Sequence, residues 1–129
     1  VLAEALGARK LTLKPSAAGA YAYLDPSHAP RVAKTRPAPR ALLAVAFGAD
    51  AAKKPFWRED RAHPAGATGG LTLTHPEIAA ALAASRLADA KDAGATWVVT
   101  EDPDDLAVLE ASTPALGVKS LYEALAACL

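Results

Sequence analysis

Three short motifs hold the polar residues whose types and spacing could support chemistry. The first ends in Ser27 and His28, the second begins at His63, and the third begins at Asp102 and ends at Asp105. Imidazole nitrogens and carboxylate oxygens are ligands for zinc and for harder metal ions. A metal-dependent enzyme that uses His28, His63, Asp102 and Asp105 is therefore one hypothesis, provided that the three motifs meet in space.

The same motifs allow three other kinds of site. The glycine-rich segment 66–70 could cradle a phosphate, although no predicted strand runs directly into a helix there. Asp104 and Asp105 are paired carboxylates, but acidic residues are common in the first turn of a helix. Ser27 and His28 are a nucleophile and a base by type, yet adjacent residues rarely face each other and no nucleophile elbow is present.

The composition argues against several classes of protein. The 14 basic and 14 acidic residues give a net charge of zero, and a dedicated nucleic-acid-binding protein normally carries a basic patch. No apolar run approaches the roughly 18 residues that span a bilayer, and the N-terminus lacks a signal-peptide pattern. We expect a cytoplasmic protein without membrane insertion or a nucleic-acid partner. The absence of methionine suggests a processed product or a piece of a longer polypeptide.

Strand and helix patterns alternate along the 129 residues, which predicts a single α/β domain. We expect a small parallel or mixed sheet with helices on both faces and Rossmann-like βαβ layering. Residues 1–19 are a lead-in segment that could end a preceding region. Strands are predicted at residues 20–24, 54–58, 95–100 and 116–118, and helices at 1–9, 39–47, 74–93, 103–111 and from 120 onward.

Polar residues before prolines mark the predicted helix starts. Asp25 is predicted to cap a helix that begins with the next residue, and Asp102 to cap the helix at 103–111. Thr74 and Glu77 have the spacing of a capping box.

The predicted helix at 74–93 is rich in alanine, so its packing depends on close approach of the backbone rather than on bulky side chains. We expect Ile78 and Leu82 to face the core. Arg86, Asp89 and Asp92 are predicted to face solvent.

The three motifs resemble those of a known family, the cysteine-rich CCG domain. That domain occurs in the B subunit of heterodisulfide reductases and in the iron–sulfur subunit of glycolate oxidase and related lactate-utilisation proteins. Its Tyr-His-Asp-Pro-Cys-His, Cys-Cys-Gly and Cys-Pro-x-Cys phrases correspond here to residues 23–28, 64–66 and 102–105. The spacing agrees, since 36 residues separate Ser27 from Pro64 and 36 more separate Ala65 from Asp102. The resemblance covers roughly residue 21 to the end.

The resemblance implies that this chain has lost the family's cluster ligands. The cysteine positions are occupied by Ser27, Pro64, Ala65, Asp102 and Asp105. Iron–sulfur clusters need thiolates, which hydroxyl, methyl and carboxylate groups do not replace. The single cysteine, Cys128, lies outside the motifs and cannot form an internal disulfide. We therefore expect no iron–sulfur cluster or other cofactor and assign no catalytic residue.

Relatives in this family pass electrons between a flavin-bearing dehydrogenase subunit and an acceptor. The resemblance therefore implies a degenerate oxidoreductase domain of the glycolate/lactate oxidase or heterodisulfide reductase type, retained as a structural or docking module. Its partners would be other subunits or domains of a redox complex, or a second copy. An alternative is a small-molecule or anion-binding module that uses the vacated pocket near Ser27, Gly66 and Asp102.

Overall fold

A computed structural model describes residues 2–8, 12–29, 37–112 and 115–129. The elements in chain order are α1 (Leu2–Gly7), β1 (Tyr21–Tyr23), α2 (Pro37–Phe47), β2 (Ala52–Lys53), α3 (Leu71–Thr74), α4 (Pro76–Asp92), β3 (Trp97–Thr100), α5 (Pro103–Ala111), β4 (Gly117–Ser120) and α6 (Leu121–Ala126). Two short 3-10 helices, Glu59–Arg61 and Thr68–Gly70, lie between β2 and α3. None of the helices in these ranges has the length and hydrophobicity of a transmembrane span.

The four strands form one parallel sheet in the order β2-β1-β3-β4, which confirms the predicted α/β class. From β1 the chain first moves outward to β2 and then returns to the other side of β1 to form β3. The direction of winding therefore changes between β1 and β3. In open α/β sheets, ligands bind outside the carboxyl ends of the strands at such a switch point.

Alternating side chains of the two central strands supply two apolar cores. Tyr21 and Tyr23 pack with Trp97 against α2 and α6 on one face of the sheet. Ala22 and Val98 face α4 and α5 on the other. The described residues of β1 and β3 are buried throughout, as expected for parallel strands covered on both faces.

The strand predicted at residues 54–58 is wrong, because the second strand is β2 at Ala52–Lys53. The segment after β2 turns toward α4 instead of continuing along β1. The backbone N–H groups of Phe56 and Trp57 donate to the two carboxylate oxygens of Asp89, over 3.0 and 3.1 Å. These two N–H groups therefore bind a side chain of α4 and do not pair with a neighbouring strand.

The buried face of α4 also differs from the predicted one. Ile78 is exposed, whereas Arg86 is only 2% exposed. The residues of α4 that are buried are Ala79, Ala83, Arg86, Leu87 and Ala90. Because most of this face is alanine, the helix lies close to the sheet and the large apolar residue at position 78 falls outside the contact.

The predicted capping box at the start of α4 is wrong as well. Thr74 already has helical backbone as the last residue of α3, and its hydroxyl donates to the Gly70 carbonyl over 3.2 Å. His75 takes the N-cap position of α4 without a side-chain cap bond, and Pro76 begins the helix. The short turn of α3 therefore displaces Thr74 from the capping position.

Candidate functional site

The three motifs converge at the carboxyl ends of β1 and β3, where the winding direction changes. Ser27 Oγ of the first motif lies 3.4 Å from Thr68 Oγ1, which follows the second motif. The backbone N–H of Ala67 donates to the carboxylate of Asp105 in the third motif. Segments that are far apart in sequence thus form one site at the position where α/β sheets bind ligands.

Ser27 and His28 have different surroundings. Ser27 is buried beside Thr68, whereas His28 is exposed and its Nδ1 lies 4.0 Å from Asp102 Oδ2. A nucleophilic hydroxyl must reach its substrate, and the burial of Ser27 does not favour that role.

The structure does not bring the four metal-ligand candidates together. The ring of His63 packs on Trp57 with 4.3 Å between the ring centroids. Among the described residues, no group of three or more His, Cys, Asp or Glu side chains could hold a metal ion. Of the four candidates, His28 lies near Asp102, and Asp105 lies one helical turn further on.

Asp102 caps α5 as predicted. Its Oδ1 accepts the backbone N–H groups of Asp104 and Asp105, over 2.9 and 3.2 Å. Its other carboxylate oxygen is the one nearest His28. An aspartate here satisfies two of the N–H groups that a helix leaves unpaired at its start.

Asp105 is a buried carboxylate at the centre of the site, only 5% exposed. Burial and the neighbouring charge of Asp102 raise its pKa to about 6, against the lowering effects of the Ala67 N–H, His28 and Arg86. Carboxylates with raised pKa values in a crevice are characteristic of functional sites. Asp105 is therefore the strongest titratable candidate in the described part of the chain.

Arg86 is a buried cation, so the prediction that it faces solvent is wrong. Its Nη1 donates to Asp89 Oδ2 over 3.0 Å. Burial lowers the pKa of Arg86, and the carboxylates of Asp89, Asp25 and Asp105 counteract that effect. Within the described residues, its Nε and Nη2 atoms have no hydrogen-bond partner. The spacing of the sequence could have predicted this burial, since position 86 lies on the same face of the helix as Ala79, Ala83 and Ala90.

Asp25 does not cap a helix, so that prediction is wrong. Its two carboxylate oxygens accept bonds from Nη1 and Nη2 of Arg40, over 2.8 and 2.7 Å. A third bond, of 2.9 Å, comes from the backbone N–H of Glu59, whose φ of 55° is unusual for a residue with a side chain. Asp25 therefore ties the end of β1 to α2 and to the loop after β2.

Gly66 shows why the second motif needs a glycine. It adopts a φ of 111°, and a Cβ atom there would lie 2.4 Å from the carbonyl oxygen of Ala79 on α4. Only glycine permits both this backbone conformation and this close approach. Ala65, beside it, is buried in the core under α4 and α5, and Pro64 is half-buried.

An open groove of about 750 Å³ lies beside the converged motifs, between α4 and α5. Its charged or titratable lining residues are His28, Asp102, Asp104 and Asp105; no lysine or arginine of the described chain lines it. Gly69 and Gly70 also line the groove, but the surrounding carboxylates oppose a phosphate at that loop. The charges of the described lining residues favour a cationic ligand over an anionic one.

The donor groups at the five family positions do not fit an iron–sulfur cluster. The side chains there are the hydroxyl of Ser27, the pyrrolidine ring of Pro64, the methyl group of Ala65 and the carboxylates of Asp102 and Asp105. Cys128 belongs to the core on the opposite face of the sheet, with its Sγ 3.6 Å from the Ala124 carbonyl oxygen. Cluster irons require thiolate ligands in almost every position.

Comparisons of the chain with protein-family models, with curated proteins and with solved structures found no match. The resemblance to the CCG domain therefore rests on the three motifs and their spacing alone.

Proposed function

We propose that this chain is a cluster-free CCG-type domain that acts as a structural and docking module in a cytoplasmic redox complex. The complex would be of the glycolate/lactate oxidase or heterodisulfide reductase type. The observation that carries this proposal is the convergence of the three motifs at one site, with non-thiolate side chains at the five former ligand positions. Ser27, Asp102 and Asp105 there contact protein groups, which favours a scaffold role over electron transfer.

A surface for docking lies on the loop after β2 and the residues that follow it. We call Phe56, Trp57, Arg61 and His63 the aromatic patch. Phe56 and Trp57 meet edge to face with their centroids 4.8 Å apart, and the Arg61 guanidinium lies 4.8 Å from the centre of the Phe56 ring. Aromatic residues and arginine are enriched at the centres of protein interfaces.

The docking role predicts that the tagged protein, purified from its native cells, retains flavin-bearing and cluster-bearing subunits of such a redox complex. Replacing Phe56 and Arg61 together with alanine should weaken this binding about tenfold or more, since such residues often act as binding hot spots. Binding is measured by interferometry, and bound subunits are identified by flavin fluorescence and visible absorbance.

Tyr122→Ala is the matched control, because Tyr122 is 59% exposed on α6 and Phe56 is 55% exposed. The docking proposal fails if neither subunit binds, or if Tyr122→Ala weakens binding as much as the double variant does.

A second prediction concerns the five positions at which the CCG family has cluster-binding cysteines. A variant with cysteine at Ser27, Pro64, Ala65, Asp102 and Asp105 should take up iron and sulfide under anaerobic reconstitution and gain a broad visible absorbance. The unmodified protein, treated in the same way, should remain colourless, because oxygen and methyl groups do not replace thiolates.

Asp102 caps α5, so a four-cysteine variant that retains Asp102 serves as a second test with the helix start intact. Circular dichroism verifies that each variant folds. Folded variants that bind no cluster would contradict the proposed relationship to the CCG domain. A coloured unmodified protein would instead contradict the proposed loss of the cluster.

A further inference from the structure

The groove between α4 and α5 has the size and lining of a small-molecule site. Its volume of about 750 Å³ falls within the range typical of ligand pockets. Apolar lining residues come from α3, α4 and α5, namely Leu73, Pro76, Ala79, Ala80, Ala107, Val108 and Ala111. Leu73 lies at the edge of the groove and is 88% exposed, so its apolar surface is in contact with water.

The acidic residues of the groove lie at the start of α5, near the strand ends. Asp102, Asp104 and Asp105 all line the groove there. The carboxylate of Asp105 accepts the Ala67 N–H, and Oδ1 of Asp102 accepts two N–H groups at the start of α5. These bonds hold both carboxylates in place, and the negative charge of Asp102 disfavours the ionised form of Asp105.

We propose that the groove binds a small primary amine with an apolar chain, its ammonium group between Asp102 and Asp105 and its chain along α4 and α5 toward Leu73. The ammonium group would offset the repulsion between the two carboxylates and donate charge-assisted hydrogen bonds to them. The chain would cover apolar surface that is otherwise in water. A carboxylate of the same length would meet negative charge at the same end of the groove.

This inference goes beyond the docking proposal and does not depend on it, because it concerns a ligand and not a protein partner. Loss of amine binding would leave the docking and reconstitution results unchanged. Failure of docking would likewise leave amine binding intact.

Isothermal titration calorimetry at pH 8 with butylamine, hexylamine and octylamine tests the inference. Affinity should rise with chain length, and octanoate and octanol should bind at least about tenfold more weakly than octylamine. Asp102→Asn and Asp105→Asn should each weaken octylamine binding about tenfold, since each removes one charge-assisted partner. Asparagine preserves the cap at position 102, so this variant is expected to fold.

Leu73→Ser should reduce the gain in affinity from hexylamine to octylamine and leave butylamine binding unchanged. Asp92→Asn is the control for net charge, because Asp92 is exposed at the far end of α4. The inference is overturned if octylamine does not bind, if octanoate or octanol binds equally well, or if Asp92→Asn weakens binding as much as the groove variants.

Discussion

Replacing Arg86 with alanine should lower the free energy of unfolding by about 3–5 kcal/mol, the range found when one partner of a buried ion pair is removed. Arg86 is the cation that faces the carboxylates of Asp25, Asp89 and Asp105 from beneath the site. Its loss would remove a positive charge that stabilises the buried carboxylate of Asp105, and it would open a void against the sheet. Urea denaturation followed by circular dichroism measures the change.

Two further variants separate the causes of this loss. Arg86→Met retains most of the volume without the charge, so the difference between Met and Ala at this position reports the void. Lys91→Ala removes an exposed cation from the same helix and should change stability by less than about 0.5 kcal/mol. If Arg86→Ala is as mild as Lys91→Ala, Arg86 does not stabilise the site.

Replacing Asp105 with asparagine should stabilise the protein at pH 8 by about 2–3 kcal/mol. The pKa of Asp105 is about 6 in the folded protein, against an ordinary value of 3.8, so the charged form is less favourable in the folded state than in the unfolded chain. Asparagine is neutral at every pH and can still accept the Ala67 N–H.

The sign of the pH dependence follows from which state holds the proton. Between about pH 4 and pH 6 the folded protein keeps the Asp105 proton while the unfolded chain has released it, so the contribution of Asp105 to stability falls as the pH rises. The penalty is complete above about pH 6 and absent below about pH 4. The advantage of Asp105→Asn should therefore shrink toward zero at pH 4.

Thermal and urea unfolding at pH 4, 6 and 8 measure the difference in stability between Asp105→Asn and the unmodified protein. The contributions of the other titrating groups cancel in this difference. Asp104→Asn is the matched control, because Asp104 lies in the same turn of α5 but is exposed. A constant difference across this pH range, or equal gains at positions 104 and 105, would refute the assignment.

Local patterns predicted much of the fold. The short β-branched run before Asp102 predicted β3, the alternation of strands and helices predicted the parallel sheet, and Asp102 before a proline predicted the cap of α5. These features depend on residues close to each other in the chain, where propensity and capping chemistry decide the structure.

The errors arose where distant segments compete for the same groups. Residues 54–58 look like a strand, yet Asp89 binds two of their N–H groups. Arg86 looks like a solvent-facing residue, yet it is buried near Asp25 and Asp105, which belong to two other segments of the chain. Asp25 has the sequence context of a helix N-cap, yet both of its carboxylate oxygens accept hydrogen bonds from Arg40 and from the Glu59 N–H. No local pattern shows such partners.

In the candidate site too, some features follow from local sequence and others depend on contacts between distant segments. The motifs named Ser27, Asp102 and Asp105 as candidates but left open whether they meet; the parallel sheet brings their segments to one edge because its strand ends lie there. His63 instead packs on Trp57, a contact that depends on the path of the loop after β2. The groove could not be predicted, since its walls are alanine faces whose exposure depends on how α4 and α5 cross the sheet.

The sheet also separates the chain's one thiol from the groove. Cys128 is buried against α6 on the face opposite α4 and α5. A thiol reagent can reach it only when that core opens, so its rate of labelling measures the opening of the α6 side without a label in the groove. Amine binding that slowed labelling would show that the two halves of the domain open together, and an unchanged rate would show that they open independently.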